Sequence, residues 1–203
     1  MVARCACATL RCLGGEGMEA GADEAGRGCL AGPVCAAAVI LPRGFSDRWL
    51  CDSKALSASR RERMRGRIER EAIAWRVAMV PPAVIDAINI LRASVLAMQM
   101  AVDALPVRPT LLLVDGNCFD ADGGLPYRTI VHGDALYASI AAASILAKTH
   151  RDELMETLDR EYPGYGWAQN KGYPTENHRC ALRRLGITPW HRLSFKAKGA
   201  PLY

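Results

Sequence analysis

Between positions 21 and 28 the chain reads Gly21-Ala22-Asp23-Glu24-Ala25-Gly26-Arg27-Gly28. Neighbouring carboxylates repel each other. At about 4 Å and an effective dielectric of about 20 the repulsion is ~4 kcal/mol. A chain that keeps such a pair supplies a cation, a proton or water to it. Successive side chains of a flat strand point to opposite faces. Asp23 and Glu24 can therefore serve one site only where the strand ends or bends, and Gly26 and Gly28 permit that bend. The bland alternative is a solvated turn after an edge strand, and these eight residues alone do not separate the two.

The neighbouring sequence places this stretch at the end of a first strand. Residues 34–41 form a continuous apolar run of strand length, fitting a buried second strand. The short connection between the two predicts a hairpin. Ser57 can cap a helix running to about Glu71. Residues 72–80 read as a third strand, stopped by Pro81-Pro82. Over residues 83–103 the spacing of Val84, Ile88, Leu91, Val95, Met98 and Val102 predicts one amphipathic helix with a simple core face.

Residues 110–114 form a short apolar strand that delivers Asp115 at its C-terminal end, where open parallel sheets place ligand groups. Residues 127–131 read as a fifth strand. Gly133-Asp134 precedes a long helix, residues 135–160, whose Ala/Ser-rich first half is thin enough to lie close on a sheet. Thr175 can cap a last short helix and Gly186 can end it. The order of elements gives an α/β fold with a mixed sheet. Three regions follow: an extension over residues 1–17, expected to be disordered; a main domain, 18–161; and a C-terminal helical appendage, 162–203.

Charge is unevenly shared among these regions. The net charge is +5. From Tyr162 onward Lys171, Arg179, Arg183, Arg184, Arg192, Lys196 and Lys198 face one acid, Glu176. A near-neutral body thus carries a basic tail, which suits a polyanion such as nucleic acid. The eight cysteines form no C-x-x-C pair, which argues against zinc. The apolar run in the first 17 residues is too short for a secretory leader, so a reducing cytoplasm is expected. No run of about 18 apolar residues exists, so no membrane span is expected.

Asp23, Glu24, Asp115 and Asp134 each fall at a strand end or helix start beside glycine. If the first and fourth strands are neighbours, these acids converge at one sheet edge. Clustered oxygen ligands suit Mg²⁺ or Mn²⁺, and two such ions can support phosphodiester hydrolysis. Spacing alone carries this weakly, because acids at loop ends are commonplace. Asp152 lies 18 residues beyond Asp134, roughly 27 Å along a continuous helix. It is expected to pair with a nearby base. Asp120 and Asp122 read as solvated, and His132 as structural or solvated at the border of the site.

The motifs in their order resemble type 2 ribonuclease H, close to its bacterial form, ribonuclease HII. The blocks that carry the resemblance are Asp23-Glu24-Ala25-Gly26-Arg27-Gly28, Leu30-Ala31-Gly32-Pro33-Val34, Asp52-Ser53-Lys54, Ile88-Asn89-Ile90-Leu91 and Val114-Asp115-Gly116-Asn117. They continue with Gly133-Asp134, Arg151-Asp152 and Lys171-Gly172-Tyr173-Pro174-Thr175. Asn170, where the family often has His, is a departure.

The resemblance implies a ribonuclease H-like mixed five-stranded sheet flanked by helices, with a C-terminal helical appendage. It implies an endonuclease that cuts the RNA strand of RNA–DNA hybrids, and duplex DNA 5′ to embedded ribonucleotides, leaving 5′-phosphate and 3′-hydroxyl ends. Asp23, Glu24, Asp115 and Asp134 would hold two Mg²⁺ or Mn²⁺ ions. Gly26, Arg27 and Gly28 would read the 2′-hydroxyl largely through their backbone. Tyr173 would stack on the sugar at the RNA–DNA junction. Lys54 and Asn89 would touch the nucleic-acid backbone, and the basic tail would bind phosphates. A cytoplasmic monomer is expected.

Blander readings stand beside these roles: Tyr173 as a turn residue, Lys54 as a solvated lysine, Asn89 as a member of its helix. Two alternatives compete for the whole chain. One is a junction resolvase of the same fold, disfavoured by Tyr173 and the glycine-arginine-glycine turn. The other is a nucleic-acid-binding module that does not cleave.

Overall fold

The computed structural model describes residues 10, 18–47, 49–50, 56–120 and 124–195. Lys54, the last eight residues and residues 1–17 apart from Leu10 lie outside them. The described strands are β1 (Glu19–Ala25), β2 (Val34–Ile40), β3 (Ala74–Val80), β4 (Leu111–Asp115) and β5 (Tyr127–Ile130). They form one sheet in the order β3-β2-β1-β4-β5. β1 is antiparallel to β2 and parallel to β4, and β4 is parallel to β5. The sheet is mixed, as expected, and the first and fourth strands are neighbours.

β2 explains why the sheet needs cover on both faces. All seven of its residues are buried. Val34, Ala36, Ala38 and Ile40 enter one core, and Cys35, Ala37 and Val39 enter the other. That is the period of two of a strand pleat. The first core is closed by α3 (Ile90–Asp103), through Ala93, Ala97, Met98, Ala101 and Val102. The second is closed by α1 (Ala58–Glu71) and by α4 (Ala138–Glu161). Ser57 caps α1 as expected, its side chain accepting from the Arg60 amide.

α4 lies so close on β1 that Gly21 has no room for a side chain. A Cβ there would stand 2.1 Å from the Ser139 carbonyl carbon. The alanine-rich first half of α4 makes that approach possible. A third core joins Ala31, Met155 and Leu158 to Tyr165, Trp167, Ala181 and Leu182, and so binds the appendage to the distal half of α4. The appendage holds α5 (Trp167–Asn170) and α6 (Glu176–Leu185), the latter capped by Thr175 and ended at Gly186.

Two expectations need correction. Residues 83–103 are two helices, α2 (Pro82–Ile88) and α3, broken at Asn89 with φ 68°. The Asn89 side chain accepts from the Arg92 amide and starts α3 afresh. The break shifts the phase of the helix, so Leu91, expected in the core, is exposed. The long helix also begins later than residue 135. Gly133–Ala135 is a 3₁₀ turn, and Tyr137 is extended before α4 starts.

Candidate active site

The site forms where β1 and β4 end side by side. Ala22 pairs with Val114 in parallel register, which sets Asp23 beside Asp115 at the same edge. Asp23 is 5% exposed and Asp134 6%. The Glu24 amide donates to Asp23 Oδ1 at 2.7 Å, and Ser144 of α4 hydrogen-bonds the same carboxylate. Gly26, with φ +91°, then bends the chain. The bend answers the strand-alternation problem, since Asp23 and Glu24 both feel the charge of Asp115.

Asp134 reaches the same edge through its neighbour. Asp115 Oδ1 accepts from the Gly133 amide at 2.7 Å, which ties the 3₁₀ turn to the end of β4. Among the described residues, however, no three His, Cys, Asp or Glu side chains stand as a closed metal-binding set. The structure brings Asp23, Glu24 and Asp115 into one electrostatic cluster and anchors Asp134 beside it.

Burial pushes the Asp23 carboxyl well above the usual carboxylate range, with Glu24 and then Asp115 adding to the effect. Burial also raises Glu24, against the opposing pull of Arg27. The Arg27 guanidinium meets Glu24 Oε1 at 3.1 Å. Buried carboxylates that resist ionisation beside one another lack positive charge. Oxygen-only donors of this kind suit a hard divalent cation.

A bent loop flanks the acids. Gly26 is buried against Arg151, and a Cβ on it would stand 2.1 Å from Arg151 Nε. Arg27 and Gly28 are exposed. Tyr173 stands beside them, its ring carbon Cε1 4.0 Å from where a Gly28 side chain would begin. The Tyr173 hydroxyl hydrogen-bonds the buried Cys29 thiol, which fixes the ring's direction. Its carbonyl accepts from His178 Nδ1 at 3.0 Å. Gly172 holds the same loop, its carbonyl accepting from the Leu30 amide at 2.8 Å and the Ala31 amide at 3.3 Å.

The remaining predicted contacts divide. Asn89 is exposed after α2, at the end of the sheet where β3 finishes opposite Val34, but its side-chain oxygen is engaged as a cap. Asp152 pairs with Lys148, as expected of it. His132 is exposed in the left-handed region with φ 57°.

The basic tail is less available than its charge suggests. Lys171 pairs with Glu156 at 2.6 Å, Arg183 with Glu176 at 3.0 Å, and Arg192 is 1% exposed. Arg192 therefore cannot serve as a surface phosphate contact. Sequence reasoning missed the buried roles of Arg151, His178 and Arg192. Its only signal was the Arg151-Asp152 block, which carried no role.

The family model described as Ribonuclease HII matches residues 20–198. The chain belongs to the ribonuclease HII family. The ribonuclease HII of Bacteroides thetaiotaomicron is 57% identical over 182 residues, covering 90% of this chain and 91% of that one. The ribonuclease H2 of Pyrococcus horikoshii OT3 shares the fold with a TM-score of 0.75 at 24% identity, over 88% of this chain and 94% of that one. Bst-RNase HIII in complex with Mn²⁺ superposes with a TM-score of 0.65 at 20% identity, over 88% and 67%. As a ribonuclease HII the chain is a ribonuclease H, an endonuclease acting on RNA–DNA substrates. Among the described residues no helix is long and apolar enough to cross a membrane.

Proposed function

We propose that this ribonuclease HII cuts the RNA strand of RNA–DNA hybrids, and duplex DNA 5′ to an embedded ribonucleotide, leaving 5′-phosphate and 3′-hydroxyl ends. The observation that carries the reading is the placement of the exposed Arg27-Gly28 turn and Tyr173 beside the acid cluster. Backbone polar groups on the turn suit a 2′-hydroxyl, the group that marks RNA. The Tyr173 ring offers a face for a sugar. Ribose recognition and hydrolysis then occupy adjacent places on one surface.

Asp23, Glu24, Asp115 and Asp134 would hold two Mg²⁺ or Mn²⁺ ions. Such ions, when bound, supply an activated water and stabilise the departing oxygen. The residues of the chain do the rest. Ser144 and the Glu24 amide orient the Asp23 carboxylate, and the Gly133 amide orients Asp115. Arg27 balances Glu24 at the rim.

The test is a labelled DNA duplex with one ribonucleotide beside its all-DNA twin, each with Mg²⁺, Mn²⁺ or chelator. A metal-dependent cut 5′ to the ribose, absent from the twin, is the expected result. Cutting of a long hybrid alone would keep the acid site and remove the junction assignment. Binding without cleavage of either would favour the non-cleaving module.

A further inference from the structure

Two buried guanidinium groups lie directly behind the Gly26-Arg27-Gly28 turn. Arg151, on α4, donates Nε to Pro33 O at 2.9 Å, Nη1 to Lys171 O at 2.8 Å and Nη2 to Ala31 O at 3.0 Å. Arg192, in the appendage, donates Nε to Gly32 O at 3.0 Å and Nη1 to Arg27 O at 2.9 Å. Its Nη2 is buried without a hydrogen-bond partner. All these acceptors are main-chain carbonyls, and the two side chains are each 1% exposed. Burial holds Arg192 down to about 10, so it stays charged at neutral pH.

Mere stapling of two segments does not require this arrangement. Residues 190–192 already pair with 30–32: Gly32 N donates to Trp190 O at 2.8 Å and Arg192 N to Leu30 O at 2.8 Å. A neutral amide could add side-chain donors without the cost of burying a charge. What the guanidinium adds is a charge-assisted hold on two carbonyls at once, Gly32 within the paired segment and, beyond it, Arg27.

That carbonyl belongs to the peptide whose N–H is Gly28's. In a planar trans peptide the C=O and N–H point in opposite directions. Drawing the Arg27 oxygen inward to Arg192 turns the Gly28 N–H outward, on a residue that is exposed and beside Tyr173. A cation on the oxygen also polarises the peptide, which strengthens its N–H as a donor. Arg151 forms the floor on which Gly26 rests, so the bend cannot relax toward it.

We propose that Arg192 is the positioning residue of the ribose reader, holding the Gly28 amide outward as a preset donor to the 2′-oxygen. This rests on the reading of the turn as the 2′-hydroxyl contact. Arg192 touches neither substrate nor acids. Its effect passes through one peptide plane.

The experiment compares wild type, Arg192→Met and Arg192→Lys, with thermal unfolding recorded for each. Binding in chelator is measured for the single-ribonucleotide duplex and its all-DNA twin, and cleavage of the former in Mg²⁺. Wild type is expected to favour the ribonucleotide duplex. Arg192→Met should bring that preference close to unity without weakening all-DNA binding, and slow cleavage by roughly tenfold, the size of one good hydrogen bond.

Arg192→Lys keeps the charge but cannot serve both carbonyls, so its preference should fall between the two. A merely structural role would lower both affinities together, in step with the folded fraction. Wild-type preference retained in folded Arg192→Met overturns the proposal. If that variant does not fold, an unchanged preference in Arg192→Lys overturns it. A wild-type chain without preference would instead defeat the reading of the turn itself.

Discussion

Asp115 ends β4, whose parallel register with β1 sets it beside Asp23, and it holds the Gly133 amide. Asp115→Asn keeps the hydrogen-bond acceptor and removes the charge. We expect cleavage to fall by roughly a hundredfold or more, with duplex binding little changed. A second readout needs no substrate. Mg²⁺ or Mn²⁺ added to metal-free wild type should raise Tm, because an ion that binds only the folded state stabilises it by about 2.7 kcal/mol at a hundred times its Kd. Asp115→Asn should lose most of that rise. A full rise in the variant would remove Asp115 from the ligand set.

Tyr173 makes a different prediction. The residue is 41% exposed beside Gly28 while its hydroxyl and carbonyl are tied down. Tyr173→Ala should weaken cleavage at a single ribonucleotide more than cleavage of a long hybrid, where neighbouring riboses offer many registers. Equal losses measured on both substrates would refute a junction role.

At the scale of elements, the contact of α4 with β1 sets the geometry of the acid edge. Gly21→Ala puts a methyl against the Ser139 main chain, which cannot step aside as a flexible side chain would. We expect a loss of about 1–3 kcal/mol or more, read as a fall in Tm of roughly 2–4 °C per kcal/mol for a chain of this size. Activity should fall as well, since α4 carries Ser144 to Asp23. A Tm equal to wild type would show that the helix has room that the structure denies it.

Much of this layer was legible in the sequence. The apolar run of β2, the acid at the end of β4 and the caps at Ser57 and Thr175 are local signals, and each lies where the residues placed it. The break at Asn89 was not legible. Apolar spacing continues through it, and neither glycine nor proline marks it. Only the left-handed φ and the side-chain cap reveal it. Arg151 and Arg192 were hidden for another reason. Their partners Pro33 and Arg27 lie 118 and 165 positions away, so in sequence a buried arginine looks like any solvated one.

For the whole molecule, the appendage adds a pH dependence. The Tyr173 carbonyl can only accept, so His178 carries its proton on Nδ1, and Nε2 takes the Trp167 indole N–H at 3.0 Å. His191 Nδ1 accepts from the Thr188 amide at 2.9 Å, so its own N–H faces His178 Nε2 at 3.4 Å. Both residues are buried.

Burial lowers His178, and burial with the neighbouring His178 lowers His191 from 6.5 to about 4. A depressed folded-state value means that the unfolded chain takes up protons first. The contribution is therefore complete above about pH 6.5 and is lost as pH falls toward 4. Unfolding midpoints should drop across that window, and His191→Gln should flatten the drop. An unaltered slope in the variant would mean that other groups set it.

The reach of Arg192 back to Arg27 has a consequence for how the enzyme is made. A polypeptide leaves the ribosome N-terminus first. Every acid of the candidate site lies before residue 135, and β1, β4 and the 3₁₀ turn can assemble once α4 follows them. The turn proposed to read the 2′-hydroxyl meets its brace only at residue 192. Synthesis thus delivers every acid of the proposed cutting edge before the residue that would brace the proposed reader.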